Sequence, residues 1–214
     1  MFISFRKFCG MGVVGSVSST LRRLLLCLFV ASVIVLATSP VATSQNDPLQ
    51  FSTSQLPFAV SDDEVSNLSR YALIKTTKGF FEIRFFIREA PIHVLNFQHL
   101  SKEGFYDNTI FYRYIPNYII QGGNKSGDSS GGTDYTLEPE FSNIRHKRGT
   151  VAMSRLRGEK NPRRMSNGSQ FYISLGNAPQ LDGLYSIFAE VVSGMDVVEK
   201  LRQGDKILEI KLSR

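Results

Sequence analysis

Short runs of alternating apolar and polar residues recur along residues 70–214 and predict a domain built mainly of β-strands. Residues 71–77 and 80–86 are two such runs, and the Lys78-Gly79 pair between them indicates a hairpin turn. Further strand-like runs lie at the start of 111–123 and at 118–121, 151–153, 170–174, 187–192 and 207–212. Many short strands without a strand–helix–strand rhythm favour a mostly antiparallel barrel.

Two segments carry apolar residues at helical spacing instead. The first begins at Pro91, where a proline suits the first turn, and its imperfect apolar stripe ends at Gly104. The second spans residues 194–202 and repeats apolar side chains every three residues. Residues 122–134 are so rich in glycine that we expect a long loop there.

The N-terminal pattern differs from the rest of the chain. Residues 24–37 form an uncharged apolar run that follows Arg22-Arg23 and precedes small residues, a layout typical of a secretory signal. Cleavage is expected after Ala37 or Ser44. Because the run extends to residue 42 and so approaches the ~20 residues that span a bilayer, an uncleaved membrane anchor through residues 24–42 is the alternative.

These patterns divide the chain into three parts. Residues 1–44 are a signal peptide or N-terminal membrane anchor, and residues 70–214 are the folded domain. Residues 45–69, rich in Ser, Asp, Asn and Pro, form a linker or a loosely docked lead-in. We therefore expect an exported protein, periplasmic, lumenal or secreted, with a membrane-anchored form as the alternative.

Charge and cysteine content narrow the function classes. The net charge is +6, but residues 1–44 hold four bases and no acid, so only about +2 belongs to the remainder. No nucleic-acid partner is expected from so small an excess. Both cysteines, Cys9 and Cys27, also lie in that first segment. The rest of the chain can form neither a disulfide nor a cysteine metal site, which suits an oxidising compartment.

Six sequence blocks carry a family resemblance. In chain order they are FYRYIPNYIIQGG (111–123), SGGT (130–133), GTVAMSR (149–155), NGSQFYI (167–173), LDGLYSIFAEV (181–191) and GMDVVEKL (194–201). In order and spacing they resemble the cyclophilins, which are peptidyl-prolyl cis–trans isomerases, over about residues 70–212. The resemblance implies an eight-stranded antiparallel β-barrel capped by two α-helices, with the active groove outside the barrel wall.

The implied reaction is rotation about an X–Pro bond. Amide resonance opposes it with a barrier of about 18–20 kcal/mol, but no bond is made or broken, so no metal or cofactor is needed. In the twisted amide the proline nitrogen regains a lone pair, to which a fixed guanidinium can donate. We expect proline-containing polypeptides as substrates, a monomeric enzyme and a role in folding exported proteins.

The resemblance assigns the site residues by position. Arg113 matches the catalytic arginine, and Gln121 matches a glutamine that hydrogen-bonds the substrate backbone. Strand alternation predicts that Arg113 shares a face with Phe111 and Ile115, with Tyr112 and Tyr114 opposite. The remaining substrate-binding residues implied by the resemblance are Tyr118, Ile119, Ser154, Arg155, Leu156, Gln170, Tyr172, Leu181 and Tyr185; the backbone of 154–156 is expected to pair with the peptide.

Three positions depart from the family pattern. Tyr172 stands for a pocket-floor Phe, so its hydroxyl needs a partner or water. Tyr185 replaces a groove histidine. Gln180 falls where many eukaryotic members have the Trp that supports cyclosporin binding, so we expect weakened sensitivity to that drug.

Two alternatives remain open at this point. The basic stretches 145–148 and 155–164 are solvated loops, or else they face an acidic partner or a membrane surface near the groove. The groove itself is catalytic, or else it is a binding module that holds proline-containing segments without accelerating their isomerisation.

Overall fold

The computed structural model of the chain describes residues 56–214. The expected signal peptide or anchor lies outside these residues. Between Leu56 and Arg214, no helix is both long and apolar enough to cross a membrane.

The described chain folds into ten strands and three α-helices. In chain order these are α1 (Asp62–Ser66), β1 (Tyr71–Thr76), β2 (Gly79–Phe85), α2 (Pro91–Lys102), β3 (Arg113–Ile115), β4 (Ile119–Gly122), β5 (Thr136–Leu137), β6 (Thr150–Met153), β7 (Ser166–Asn167), β8 (Phe171–Ser174), β9 (Ile187–Ser193), α3 (Met195–Lys200) and β10 (Ile207–Ser213). Short 3-10 turns lie at Gly158–Lys160 and Pro179–Leu181.

Eight of the strands form one curled antiparallel sheet in the order β10-β1-β2-β9-β6-β8-β4-β3, and β5 pairs with β7 separately. Helix α2 packs against β9 and β10, and α3 packs against β2. The predicted mainly β, eight-stranded antiparallel fold with capping helices is confirmed. Helix α3 is shorter than predicted, because the backbone turns extended at Leu201.

The two edges of the sheet meet just before β3 and β10. Ile110 forms a bridge with Lys206, and the backbone N–H of Phe111 donates to the carbonyl oxygen of Asp205 over 2.8 Å. This pairing directs the Phe111 side chain into the main core, where it is fully buried. The curled sheet is thereby closed at this end.

The closure corrects one prediction about β3. Phe111 does not share a face with Arg113, because the pairing at residues 110–111 interrupts the alternation before the strand begins. From Arg113 onward the alternation holds: Ile115 packs on the groove side and Tyr114 against the main core. Tyr112, predicted on the opposite face, lines the same groove as Arg113.

Helix α2 is buried on nearly all sides, which explains its imperfect apolar stripe. Phe97 sits at the centre of the aromatic core, and its polar neighbour Asn96 is buried but donates to the carbonyl oxygen of Gly168 over 2.6 Å. The helix starts without a cap from its own sequence. The carboxylate of Glu140 instead accepts from the N–H groups of Ile92 and His93, at 3.0 and 2.9 Å.

The described part of the segment before β1 is packed onto α2. Leu56 lies in a small apolar cluster with Ile92 and Leu95 of the helix. The ring of Phe58 stacks on His99, with the two centroids 3.8 Å apart. Helix α1 begins with a capping box, so this lead-in has regular structure of its own.

Candidate active site

One groove of about 680 Å³ on the outside of the sheet collects the predicted site residues. Strands β3, β4 and β8 form its base, and the loop after β6 forms one wall. All eleven residues assigned by resemblance line it: Arg113, Tyr118, Ile119, Gln121, Ser154, Arg155, Leu156, Gln170, Tyr172, Leu181 and Tyr185. Their individual roles stay predictions.

The pairing of β3 with β4 places Arg113 directly opposite Gln121. An N–H of the Arg113 guanidinium donates to Oε1 of Gln121 over 3.3 Å. Arg113 is exposed, whereas Gln121 is buried. A buried amide therefore holds the guanidinium through one N–H, while its remaining N–H donors face the groove.

A buried hydrogen-bond network fixes the orientation of that amide. Its nitrogen donates to the Tyr112 hydroxyl and, over 2.8 Å, to Oγ of Ser154, which leaves its oxygen for Arg113. The Tyr112 hydroxyl donates to Oε1 of Gln170 over 2.5 Å. Burial raises the pKa of Tyr112 to about 12 against the opposing effect of Arg113, so this donor stays protonated.

Tyr112 is a groove residue that the sequence pattern did not reveal. Its only signal was its position next to Arg113, and strand alternation assigned it to the opposite face. Gln170, in turn, donates from Nε2 to the carbonyl oxygen of Gly131. Gln170 thus ties the glycine-rich loop to Tyr112 and, through it, to Gln121.

Beside Arg113 lies an apolar cup, formed by Tyr118, Ile119, Tyr172, Leu181 and Tyr185. The rings of Tyr172 and Tyr185 meet edge to face, with centroids 5.6 Å apart. All but Tyr118 are buried. A concave surface of this kind suits the ring of a proline.

The hydroxyl of Tyr172 finds the partner that its burial requires. It lies 2.9 Å from Nε2 of His146, whose Nδ1 lies 2.9 Å from Oδ1 of Asp182. The backbone N–H of His146 holds the pKa of Asp182 below its usual value, so that carboxylate is an acceptor. Burial lowers the pKa of His146, although its hydrogen bond with Asp182 acts to raise that pKa. Burial also raises the pKa of Tyr172.

The distances and these pKa directions together favour one set of proton positions. Asp182 accepts from Nδ1–H of a neutral His146, and Nε2 of His146 accepts the Tyr172 hydroxyl proton. The sequence pattern did not single out His146, which appeared only within the basic stretch 145–148. It lies 26 residues before Tyr172, and nothing in the spacing indicates the contact.

The loop after β6 forms a basic wall, which consists of Arg155, Arg157 and Lys160. The Arg155 guanidinium lies 4.6 Å from the centre of the Tyr185 ring, and its Nε donates to the carbonyl oxygen of Leu184 over 2.8 Å. Nε of Arg157 donates to the Tyr185 hydroxyl over 2.9 Å, which raises the pKa of Arg157. Both arginines are therefore oriented by the rim of the cup.

The backbone of the wall segment 154–156 is partly engaged within the protein. The N–H of Ser154 donates to Gln170 and its carbonyl oxygen accepts from Asn167, at 2.8 and 2.7 Å. The Ser154 N–H is therefore already engaged, whereas its carbonyl oxygen keeps a second lone pair for another donor. Within the described chain, no backbone–backbone bond engages Arg155 or Leu156, so the pairing of the 154–156 backbone with a peptide stays a prediction.

Two further expectations concern drug sensitivity and metal binding. Gln180 is exposed on the 3-10 turn and does not line the groove, so the expected weak cyclosporin sensitivity stays a prediction. Across residues 56–214, no three His, Cys, Asp or Glu side chains converge as metal ligands.

Known proteins are similar to this chain in sequence and in fold. The family model described as "Cyclophilin type peptidyl-prolyl cis-trans isomerase/CLD" matches residues 71–212. A "Peptidyl-prolyl cis-trans isomerase" of Helicobacter pylori is 34% identical over 160 residues, which cover 73% of this chain and 94% of the relative. "Peptidyl-prolyl cis-trans isomerase 9" of Schizosaccharomyces pombe is 37% identical over 179 residues, covering 72% of this chain but only 28% of that longer relative.

The chain is also similar to a solved structure in sequence and fold. The crystal structure of a cyclophilin type peptidyl-prolyl cis-trans isomerase from Cryptosporidium parvum is 30% identical, with a TM-score of 0.62. The match covers 68% of this chain and 98% of that one. Together with the family match over β1 to β10, it shows that the chain belongs to the cyclophilin-type peptidyl-prolyl cis–trans isomerases.

Proposed function

We propose that this isomerase rotates X–Pro bonds with Arg113 as its catalytic residue, and that its clients are exported proteins. The observation that carries the catalytic assignment is the Arg113–Gln121 pair beside the apolar cup. It supplies a permanently charged donor at a fixed place next to a surface that accepts a proline ring.

The mechanism needs only this chain's own side chains. The cup holds the proline ring while the rest of the peptide rotates about the X–Pro bond. Arg113 donates to the proline nitrogen once that nitrogen becomes pyramidal, a contact that the planar amide cannot make equally well. A hydrogen bond from a charged donor contributes about 1.5–3 kcal/mol, which corresponds to a rate gain of roughly tenfold to a hundredfold.

In this proposal the two glutamines hold other groups of the protein rather than the substrate. Both polar atoms of the Gln121 side chain are engaged inside the protein, as are those of Gln170. Gln121 therefore positions the guanidinium, and Gln170 holds Tyr112 and the loop at Gly131. The backbone of Arg155, which makes no backbone–backbone bond among the described residues, pairs with the peptide.

Isomerisation is measured directly on a short X–Pro peptide by magnetisation-transfer NMR. We expect exchange between cis and trans forms to accelerate with enzyme concentration. The rival function is a binding module for proline-containing segments. A peptide that binds while its exchange stays at the uncatalysed rate would replace the catalytic proposal with that rival.

The export proposal rests on the apolar run 24–37 and on a body that lacks cysteine. N-terminal sequencing of the protein isolated from its cell tests it. A start at residue 38 or 45 supports a cleaved secretory signal, and retention of residues 24–42 in a membrane fraction supports the anchored alternative. An intact N-terminus in the soluble fraction contradicts both.

A further inference from the structure

The groove is lined by cations and by no acid. Among the described residues that line it, Arg113, Arg155, Arg157 and Lys160 are positively charged, and neither an Asp nor a Glu is present. The described chain has many acids elsewhere, including Glu159 in the same loop. The charge of the groove is therefore a local property rather than a reflection of overall composition.

These four cations also have no carboxylate partner. Between residues 56 and 214, every Lys or Arg with a carboxylate oxygen within 4.0 Å lies outside the groove. Arg163, in the same loop, shows the contrast, because it is paired with Glu138. The unpaired charges of the groove are thus available to a ligand.

The basic wall is held in place at the rim of the apolar cup. Arg157 donates to the Tyr185 hydroxyl with Nε, and Arg155 lies over the ring of the same tyrosine. Lys160 follows on the 3-10 turn Gly158–Lys160 and is exposed. A residue next to a proline seated in the cup would pass within reach of this wall.

We propose that the groove selects proline-containing segments that carry a carboxylate side chain next to the proline, and that Arg157 and Lys160 determine this preference. The inference rests on the proposed function of the same groove. A concave surface with one sign of charge focuses the field and attracts the opposite charge. An extended polypeptide fits such a groove, whereas a flat membrane surface does not reach into it.

The test compares peptides that differ at one position beside the proline, occupied by Glu, Ala or Lys and scanned on both sides. Binding is measured by fluorescence anisotropy, and isomerisation by NMR exchange. We expect Glu to bind about two- to fivefold more tightly than Ala at one or more positions, and Lys more weakly than Ala. The preference shrinks between about 50 mM and about 300 mM salt, because the pairs are exposed to solvent.

A double variant, Arg157→Gln with Lys160→Gln, brings the Glu-to-Lys binding ratio close to one. The matched control is Lys147→Gln with Lys206→Gln, which removes the same charge from exposed lysines that do not line the groove. We expect the control variant to keep the Glu-to-Lys binding ratio of the unaltered protein. An equal loss of ratio in both variants attributes the preference to net charge, and no preference in the unaltered protein overturns the inference.

Peptide binding and peptide isomerisation are measured separately, so failure of catalysis and failure of the acidic preference are distinguishable. If the Ala peptide binds without being isomerised, the proposed function fails, while the order of the three binding constants still decides whether the groove prefers a carboxylate. A final measurement tests whether the protein binds vesicles that contain anionic lipid. If the protein binds these vesicles through Arg157 and Lys160 and shows no preference among the peptides, the ligand of the basic wall is a membrane rather than an acidic segment.

Discussion

Replacing Tyr172 with phenylalanine removes one hydroxyl from the apolar cup and keeps the ring. That hydroxyl donates to Nε2 of His146 over 2.9 Å, and the two residues are only 3% and 2% exposed. Because water cannot readily reach the nitrogen that loses its donor, we expect Tyr172→Phe to lower the free energy of unfolding by about 1–3 kcal/mol.

The neighbouring ring offers a matched control. In Tyr185→Phe the lost hydroxyl is an acceptor for Nε of Arg157, an exposed side chain that can bind water instead. The contact of Arg155 with the ring face is kept. We therefore expect this variant to lose less than about 1 kcal/mol.

Urea unfolding followed by circular dichroism at about pH 8, where His146 is neutral, measures both variants. The m-value should stay unchanged, so that the shift in midpoint reports stability alone. Equal losses in the two variants, or a loss below about 0.5 kcal/mol for Tyr172→Phe, would refute the view that the buried Tyr172–His146 contact anchors the cup.

Three other predictions concern Gln121, His146 and Gly194. Gln121→Leu removes the acceptor that holds Arg113, so kcat/KM for an X–Pro peptide should fall about tenfold or more; an unchanged value contradicts the positioning role. Because burial keeps the pKa of His146 below its ordinary value, the unfolded chain binds a proton that the folded chain does not as the pH falls below about 6.5. Unfolding free energy should therefore drop between about pH 7 and pH 5, and His146→Gln should flatten this drop; parallel profiles exclude His146 as its source. Gly194 has φ +76, and an added Cβ would lie 2.5 Å from a backbone oxygen of β2, whereas Gly183, at φ +66, has nothing within 4 Å. Gly194→Ala should cost more stability than Gly183→Ala, by about 1 kcal/mol or more in thermal unfolding, and equal costs contradict the close approach.

Much of the groove was predictable because its residues lie in short blocks with fixed local geometry. Arg113 and Gln121 are eight residues apart across one tight hairpin, so β3 and β4 bring them together by register alone. Residues of β8 and of the 3-10 turn near Leu181 lie far along the chain from β4, and only the family resemblance indicated them. The contact between Arg113 and Gln121 depends on local pairing, which sequence patterns indicate well.

The parts of the site that the sequence did not predict depend on contacts between segments that are distant in the chain. The bridge between Ile110 and Lys206 breaks the alternation before β3 and turns Tyr112 into the groove. His146 and Asp182 meet Tyr172 only after the sheet has curled. Sequence periodicity does not indicate such pairings. Each of these polar groups satisfies one buried partner and does not repeat along a helix or strand.

The kinetics of Arg113→Gln test the central claim most directly. If Arg113 acts on the twisted amide, the substitution lowers the isomerisation rate of bound peptide by roughly tenfold to a hundredfold, while the dissociation constant of that peptide changes less than about threefold. Arg113→Lys keeps the charge without the planar fork and should restore only part of the rate. Full activity in Arg113→Gln, or a loss that lies entirely in peptide binding, would contradict the account.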